Sequence, residues 1–386
     1  MNPNLNVTLN RKQLSFLFLL AVGIMLRYLL MSFGYNFDFE SYCIVGELAG
    51  NFKNVYAETS RYNYAPPFFM LQGLLYRLAQ FRPERWQQIY RVFMVSVLTC
   101  ADLCIAAFIA NRYSYRKALL FFLNPVSVFI TGYHNQFDNI AVLFALLSIC
   151  YYNEEEQFGT KDFRFLLFLS LSLLTKHILF LLPFFLLVRP ELPLKKRILY
   201  SVIPPAVFLV SFLPFALTNT AGFHGILSNV FGYRSFNNAP LLALFYEFIG
   251  FPSNLRFPVY CLIMCLLAVY LRKVKYEYVI FVYLIAMVAF SSSITNQYLV
   301  IPMAALCVLN VSNWKYIYMV FVSAFLMVDG SGLGYMEAIR QAFAGSFLSP
   351  ALDYYDNIGY MLATWILLFS LIRLRRNIRK GKGAVA

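Results

Sequence analysis

The chain has 386 residues, of which 60% are hydrophobic, 18% aromatic and 13% charged, with a formal net charge of +14. A soluble domain carries about 25% charged residues, so this chain cannot cover itself with polar surface and reads as an integral membrane protein. The positive charge does not point to nucleic acid. The basic residues sit in short loops and in the tail Arg373, Arg375, Arg376, Arg379, Lys380 and Lys382, as the positive-inside rule places them. The seven cysteines give no disulfide framework, because all but Cys43 fall in apolar segments.

Hydrophobic runs of about 20 residues recur, each long enough to cross about 30 Å of hydrocarbon. Arg11 and Lys12 precede the first, at 14–33, so the N-terminus is expected in the cytoplasm. That run is too long for a signal-peptide core and no small-residue cleavage site follows it, so no cleavable leader is expected. It delivers Asp38 and Glu40 to the external face. Residues 34–91 then read as a long external loop with interfacial helices, one starting after Pro66-Pro67, since proline is tolerated at a helix start and not inside. Residues 92–110 return inward to Arg112, Arg116 and Lys117, and 118–131 go out again. They leave Tyr133-His134-Asn135-Gln136-Phe137-Asp138 external before 139–152 return to Glu154-Glu155-Glu156.

Residues 163–188 read either as one long helix with Lys176-His177 buried inside it or as two short helices with that pair at an external tip. Only the second reading leaves Arg189, Lys195, Lys196, Arg197, Arg272, Lys273, Lys275 and the basic tail all cytoplasmic, so charge parity selects it. A span at 199–217 and a second external loop at 218–256 follow. Further spans fall at 257–271, 278–292, 298–309 and 316–328, with a third external loop at 329–356 and a last span at 358–372. The expectation is one all-α polytopic domain of about 12 transmembrane helices with both ends cytoplasmic. Within it, 34–91 carries the candidate acids, 92–217 is a helical module and 257–386 holds the C-terminal spans.

This topology places Asp38, Glu40, His134, Gln136, Asp138, Lys176, His177, Arg234, Asn296 and Gln297 on one side. Each has a plainer reading. The two acids of Asp38-Phe39-Glu40 can be solvated loop residues, Asp138 an N-cap, Lys176 and His177 snorkelling side chains, and Arg234 one more loop arginine. Their convergence beside Arg61-Tyr62-Asn63-Tyr64-Ala65-Pro66-Pro67-Phe68 favours a site. A carboxylate pair where a membrane helix emerges, backed by a large apolar body, suggests chemistry on a lipid-linked substrate. Inside the membrane, Arg27 of the first span and Asp102 of the second lie at depths differing by about 4–5 Å at 1.5 Å per residue. An isolated charge at that depth costs about 2.5–3.5 kcal/mol, so a structural ion pair is expected. The alternative is an Arg27 that snorkels outward and an Asp102 bonded to a tyrosine or the backbone.

Asp38-Phe39-Glu40, Asn54-Val55-Tyr56 and Tyr64-Ala65-Pro66-Pro67 together resemble the first external loop of the GT-C glycosyltransferases, polytopic enzymes that use polyprenyl-phosphate sugars. Asn124-Pro125, His134-Asn135-Gln136-Phe137-Asp138, Thr175-Lys176-His177-Ile178 and Leu227-Ser228-Asn229-Val230-Phe231 are similar to the dolichyl-phosphate-glucose-dependent glucosyltransferases, with Asp138 where those carry asparagine. The spacing from Asp38 to the prolines is closer to that of the first mannosyltransferase of GPI-anchor synthesis and its bacterial relatives. The resemblance covers residues up to about 240. It implies a GT-C fold and an inverting hexosyltransferase that moves glucose or mannose from a polyprenyl-phosphate donor to an external glycan or glycolipid hydroxyl. Asp38 is then the candidate base, with Glu40 second. Lys176, His177 and Arg234 would meet the donor phosphate. Tyr64, His134, Gln136, Asp138 and Gln297 would line the substrate site. No metal or other cofactor is favoured, since two acids alone make a thin metal site. A bacterial plasma membrane with the site facing outside is expected, the alternative being the endoplasmic reticulum with a lumenal site. A lipid-linked glycan flippase, another transporter or a glycan polymerase is the rival class; a transporter should show two related halves with midplane charges, and neither half is evident.

Overall fold

The computed structural model describes residues 10–233, 241, 249–328, 335–342, 344–346 and 355–379. Among them the secondary structure is helical, with no strand. Four helices are long and apolar enough to cross a bilayer, Arg11–Ser32, Pro83–Arg112, Leu194–Ala216 and Ile358–Asn377, and five shorter apolar helices accompany them. The chain is an α-helical membrane protein.

Helix α1 (Arg11–Ser32) starts at a capping box in which Asn10 and Gln13 exchange side-chain and backbone hydrogen bonds. The segment expected as a loop is mostly helix: α2 (Phe37–Gly50), α3 (Val55–Glu58) and α4 (Pro66–Ala79). Pro66 and Pro67 occupy the first turn of α4, where their missing N–H groups cost nothing. The α2 and α4 backbones approach closely at Gly73, where a Cβ would lie 2.8 Å from Ala49. This packing buries Cys43, expected to be aqueous; burial first, and then Glu40, push its thiol up to about 12, which leaves it unreactive.

Helix α5 (Trp86–Arg112) returns across the membrane. The next segment is not the single span expected over 118–131. It breaks into α6 (Tyr115–Leu123), α7 (Pro125–Phe129) and a π turn at Ile130–His134. Asn124 stops α6 in an extended conformation and caps α7 through Ser127 N at 2.9 Å, with Pro125 in the first turn. Helix α8 (Asp138–Ile149) follows.

Residues 163–188 do split, into α9 (Thr160–Thr175) and the short α10 (Leu182–Leu187), because Lys176 is extended. Helix α11 (Leu194–Val210) holds Pro204-Pro205 and runs into α12 (Leu213–Ala216) and α13 (Thr220–Gly225). Beyond them lie α14 (Arg256–Tyr270) and α15 (Tyr276–Ala289). Every residue of α15 except Glu277 and Tyr278 is buried, which makes it the central helix of the larger core, apolar on all sides. The expected span at 298–309 is a 3-10 segment, Asn296–Val300, and a short α16 (Met303–Val308). Helix α17 (Trp314–Val328), α18 (Tyr335–Ala342) and the long α19 (Tyr355–Arg379) complete the described chain. The ends of α9 and α11 far from Lys176 are tied by Lys196–Asp162 at 2.6 Å, and α5 is tied to α15 by Arg112–Glu277 at 2.9 Å.

Candidate functional site

Asp38 and Glu40 stand in the first turn of α2, not on an open loop. A helix N-terminus favours negative charge there. The Asn36 carboxamide caps it, accepting from Asp38 N at 3.2 Å. At 100° per residue, positions 38 and 40 face different ways. Asp38 is half-buried and turns toward the chain, whereas Glu40 is exposed and lies nearer Cys43. The structure thus separates the two acids that the sequence pairs.

The π turn and the tight corner after it complete the cluster. Asn135 takes a left-handed conformation, φ 57°, tolerable for asparagine. It is pinned by Arg91 Nε, which donates to its Oδ1 at 3.0 Å, and by its own Nδ2 donating to Thr131 O and Gly132 O. The corner presents His134, Gln136, Phe137 and Asp138. Asn36 Nδ2 donates to His134 Nδ1 at 2.8 Å, which fixes the His134 tautomer with its proton on Nε2. Gln136 Nε2 donates to Asp38 Oδ2 at 2.5 Å, and Tyr42 OH donates to Gln136 Oε1 at 3.0 Å. Burial, then Asp38, raise the Tyr42 phenol well above its ordinary value, so it remains a donor. Asp38 Oδ2 is therefore held, while Oδ1 has no hydrogen bond from the described residues.

Lys176 is not at an exposed tip. The break after α9 turns it inward, where its ammonium meets Asp138 Oδ2 at 2.6 Å with both side chains almost fully buried. The rings of Phe137, Tyr64 and Tyr298 surround it at 5.0, 5.4 and 5.5 Å. Asp138 Oδ1 has no partner among the described residues. His177 is exposed; its ring stacks beside Tyr64 at 6.1 Å and borders an apolar groove of ≈ 430 Å³ lined also by Leu173, Phe208, Leu209 and Phe257.

Gln297 lies next to Tyr298 in the 3-10 segment and makes no hydrogen bond among the described residues, while its neighbour Asn296 accepts from Tyr360 at 2.7 Å. Arg234 lies outside the described residues. Its neighbour Tyr233 is 54% exposed, and partial burial, then the charge of Asp38, raise its phenol. Sequence reasoning passed over Asn36, Tyr42, Arg91, Tyr233 and Tyr298. For Asn36 the signal was there, an asparagine two residues before an acidic first turn; the tyrosines are three among 28 and carried none.

Arg27 and Asp102 meet in the membrane interior at 2.8 Å, both fully buried. Asp102 also accepts from Thr131 at 2.7 Å and Asn139 at 2.6 Å, and Arg27 donates to Gly23 O and Phe122 O. A Cβ at Gly132 would lie 2.5 Å from Arg27 O, so only glycine lets the π turn close on α1. The node joins α1, α5, the π turn and α8, and so ties Asp38 to the corner that carries Gln136.

Among the described residues no group of three or more His, Cys, Asp and Glu could hold a metal ion. Comparison with known protein families, with curated proteins and with solved structures finds no match.

Proposed function

We propose that the chain is an inverting glycosyltransferase of the GT-C type. It passes glucose or mannose from a polyprenyl-phosphate donor to a hydroxyl of an external glycan or glycolipid. One observation carries this reading: Asp38 is half-buried with one oxygen held by Gln136 and the other without a partner among the described residues, beside an aromatic-lined cation and an apolar groove that starts at His177.

The acceptor hydroxyl gives its proton to Asp38 Oδ1 as its oxygen attacks the anomeric carbon from the face opposite the phosphate. The bond from that carbon to the phosphate oxygen breaks, its electron pair stays on the phosphate, and the configuration inverts. His177 at the groove mouth and the Lys176 ammonium, with Arg234, meet the leaving charge. Lys176 starts out neutralised by Asp138, so a bound phosphate would compete with that carboxylate for it. The groove takes the first isoprene units. The topology that serves this reading has about 12 crossings, counting the broken and short helices, with the basic ends cytoplasmic. It puts the site outside a bacterial plasma membrane.

Purified protein incubated with short-chain polyprenyl-phosphate glucose and mannose, in turn with glycan and glycolipid acceptors, should release the lipid phosphate with one of the sugars. No release across the panel, together with transbilayer movement of a lipid-linked glycan in vesicles, would replace this reading with a flippase.

A further inference from the structure

At the opposite end of the molecule, α14, α15 and α19 leave an apolar groove of ≈ 520 Å³ between them, within the range of about 300–1,000 Å³ that accommodates small ligands. Its walls are Leu267, Leu271, Val282, Leu368 and Leu371. In a membrane-spanning chain such a wall is covered by hydrocarbon, not water.

One end of the groove is strongly basic. Arg375 lines it and lies over the Tyr270 ring at 5.5 Å, which brings the C-terminal half of α19 to the loop that joins α14 and α15. Segments 266–275 and 368–376 contain Arg272, Lys273, Lys275, Arg373, Arg375 and Arg376 and no Asp or Glu. All six side chains are exposed, and none forms an ion pair among the described residues. The nearest carboxylate along the chain, Glu277, is bound by Arg112 at 2.9 Å. Beyond Ile372, on another face of α19, Arg373 and Arg376 border a second pocket of ≈ 450 Å³ with Ser312 and Trp314.

We propose that this end binds an anionic phospholipid, with an acyl chain in the α14–α15–α19 groove and its phosphate at Arg375. Surplus cations at an apolar groove leave charge to be neutralised where the headgroups lie, and a lipid supplies the chain and the anion in one molecule. A zwitterionic lipid would fill the groove equally well but bring no net charge. A basic patch of this kind gains about 1 kcal/mol per cation from an anionic surface, or about fivefold in binding. The site is independent of the chemistry proposed for Asp38.

Native mass spectrometry of the full chain in detergent, titrated with phosphatidylglycerol and with phosphatidylcholine of the same chains, tests this. Phosphatidylglycerol should be retained at least about fivefold better. Arg375→Gln, at an exposed position, should bring it down toward phosphatidylcholine, with the thermal midpoint read alongside to show that the protein is folded. Leu371→Trp, which fills the groove, should weaken both lipids. Equal retention of the two lipids by the wild type, or undiminished phosphatidylglycerol binding by Arg375→Gln, would overturn the proposal. Displacement of the lipid by millimolar glycerol 3-phosphate would overturn it too, because it would reduce the site to a phosphate patch without a chain groove.

Discussion

Two buried ion pairs in this protein are built in opposite ways. Arg27–Asp102 is closed. Its carboxylate accepts from Arg27 Nε and Nη2, Thr131 and Asn139, and its guanidinium is further spent on two backbone carbonyls and the face of Phe122 at 4.0 Å. Lys176–Asp138 is open. Among the described residues it has a single 2.6 Å contact, an unpartnered carboxylate oxygen and three aromatic rings where further acceptors would be expected. A fully satisfied network repays much of its desolvation and serves as a fastening. A half-satisfied one leaves hydrogen-bonding capacity for something that arrives, which is the pattern of a binding site. The first pair stands in the middle of the helix bundle; the second stands beside Asp38, the corner and a groove.

The largest expected effect breaks the contrast on the open side. Asp38→Asn keeps the shape, and the Gln136 bond to its Oδ2 survives in one amide rotamer, but no base remains. Transfer should fall by about 10²–10⁴, while the thermal midpoint in detergent stays close to wild type. If Glu40→Gln were inactive and Asp38→Asn active, the base would be the exposed acid on the other side of α2.

Breaking the closed side should do the reverse. Arg27→Ala or Asp102→Ala strands a buried charge, and each should cost about 3–5 kcal/mol of stability, read as lost folded yield and a lowered midpoint. The double variant should lose less than the two singles together. Strict additivity would mean that the two side chains do not support one another.

The smallest effect sharpens the comparison. Tyr42→Phe removes the donor that orients Gln136 and nothing else nearby. It should slow transfer by roughly two- to tenfold, the worth of about 0.5–1.5 kcal/mol for one hydrogen bond, with donor affinity unchanged. A Tyr42→Phe protein as fast as wild type would show that Gln136 is held without it.

Much of this was legible in one dimension. The apolar runs, the proline-led start of α4, the helix break at Lys176 and the matching depths of Arg27 and Asp102 all follow from local rules: hydropathy, the missing N–H of proline, charge parity and 1.5 Å per residue. What was misread depends on contacts across the chain. Asp38 and Glu40 form one motif as text and point apart as helix, because two residues on a helix differ by about 200°. Charge parity put Lys176 at an external tip, and the side chain is instead buried because Asp138, 38 positions away, offsets the cost of its charge. The span at 118–131 is broken by Asn124-Pro125 and a π turn, whose geometry is set by the approach of α1 at Gly132.

By itself, then, the sequence determined that this is a helical membrane protein, roughly where its helices start and stop, and which ionisable groups had to be explained, since charge is too costly in hydrocarbon to be there by accident. Only the tertiary structure decided which partners those groups take. Among the described residues Asp102 has four donors and Asp138 one, a difference fixed by the arrival of Thr131 and Asn139 on neighbouring turns. A hydrogen bond is made or missed within a few tenths of an ångström, and no local pattern in the chain specifies distances that finely between helices far apart in sequence.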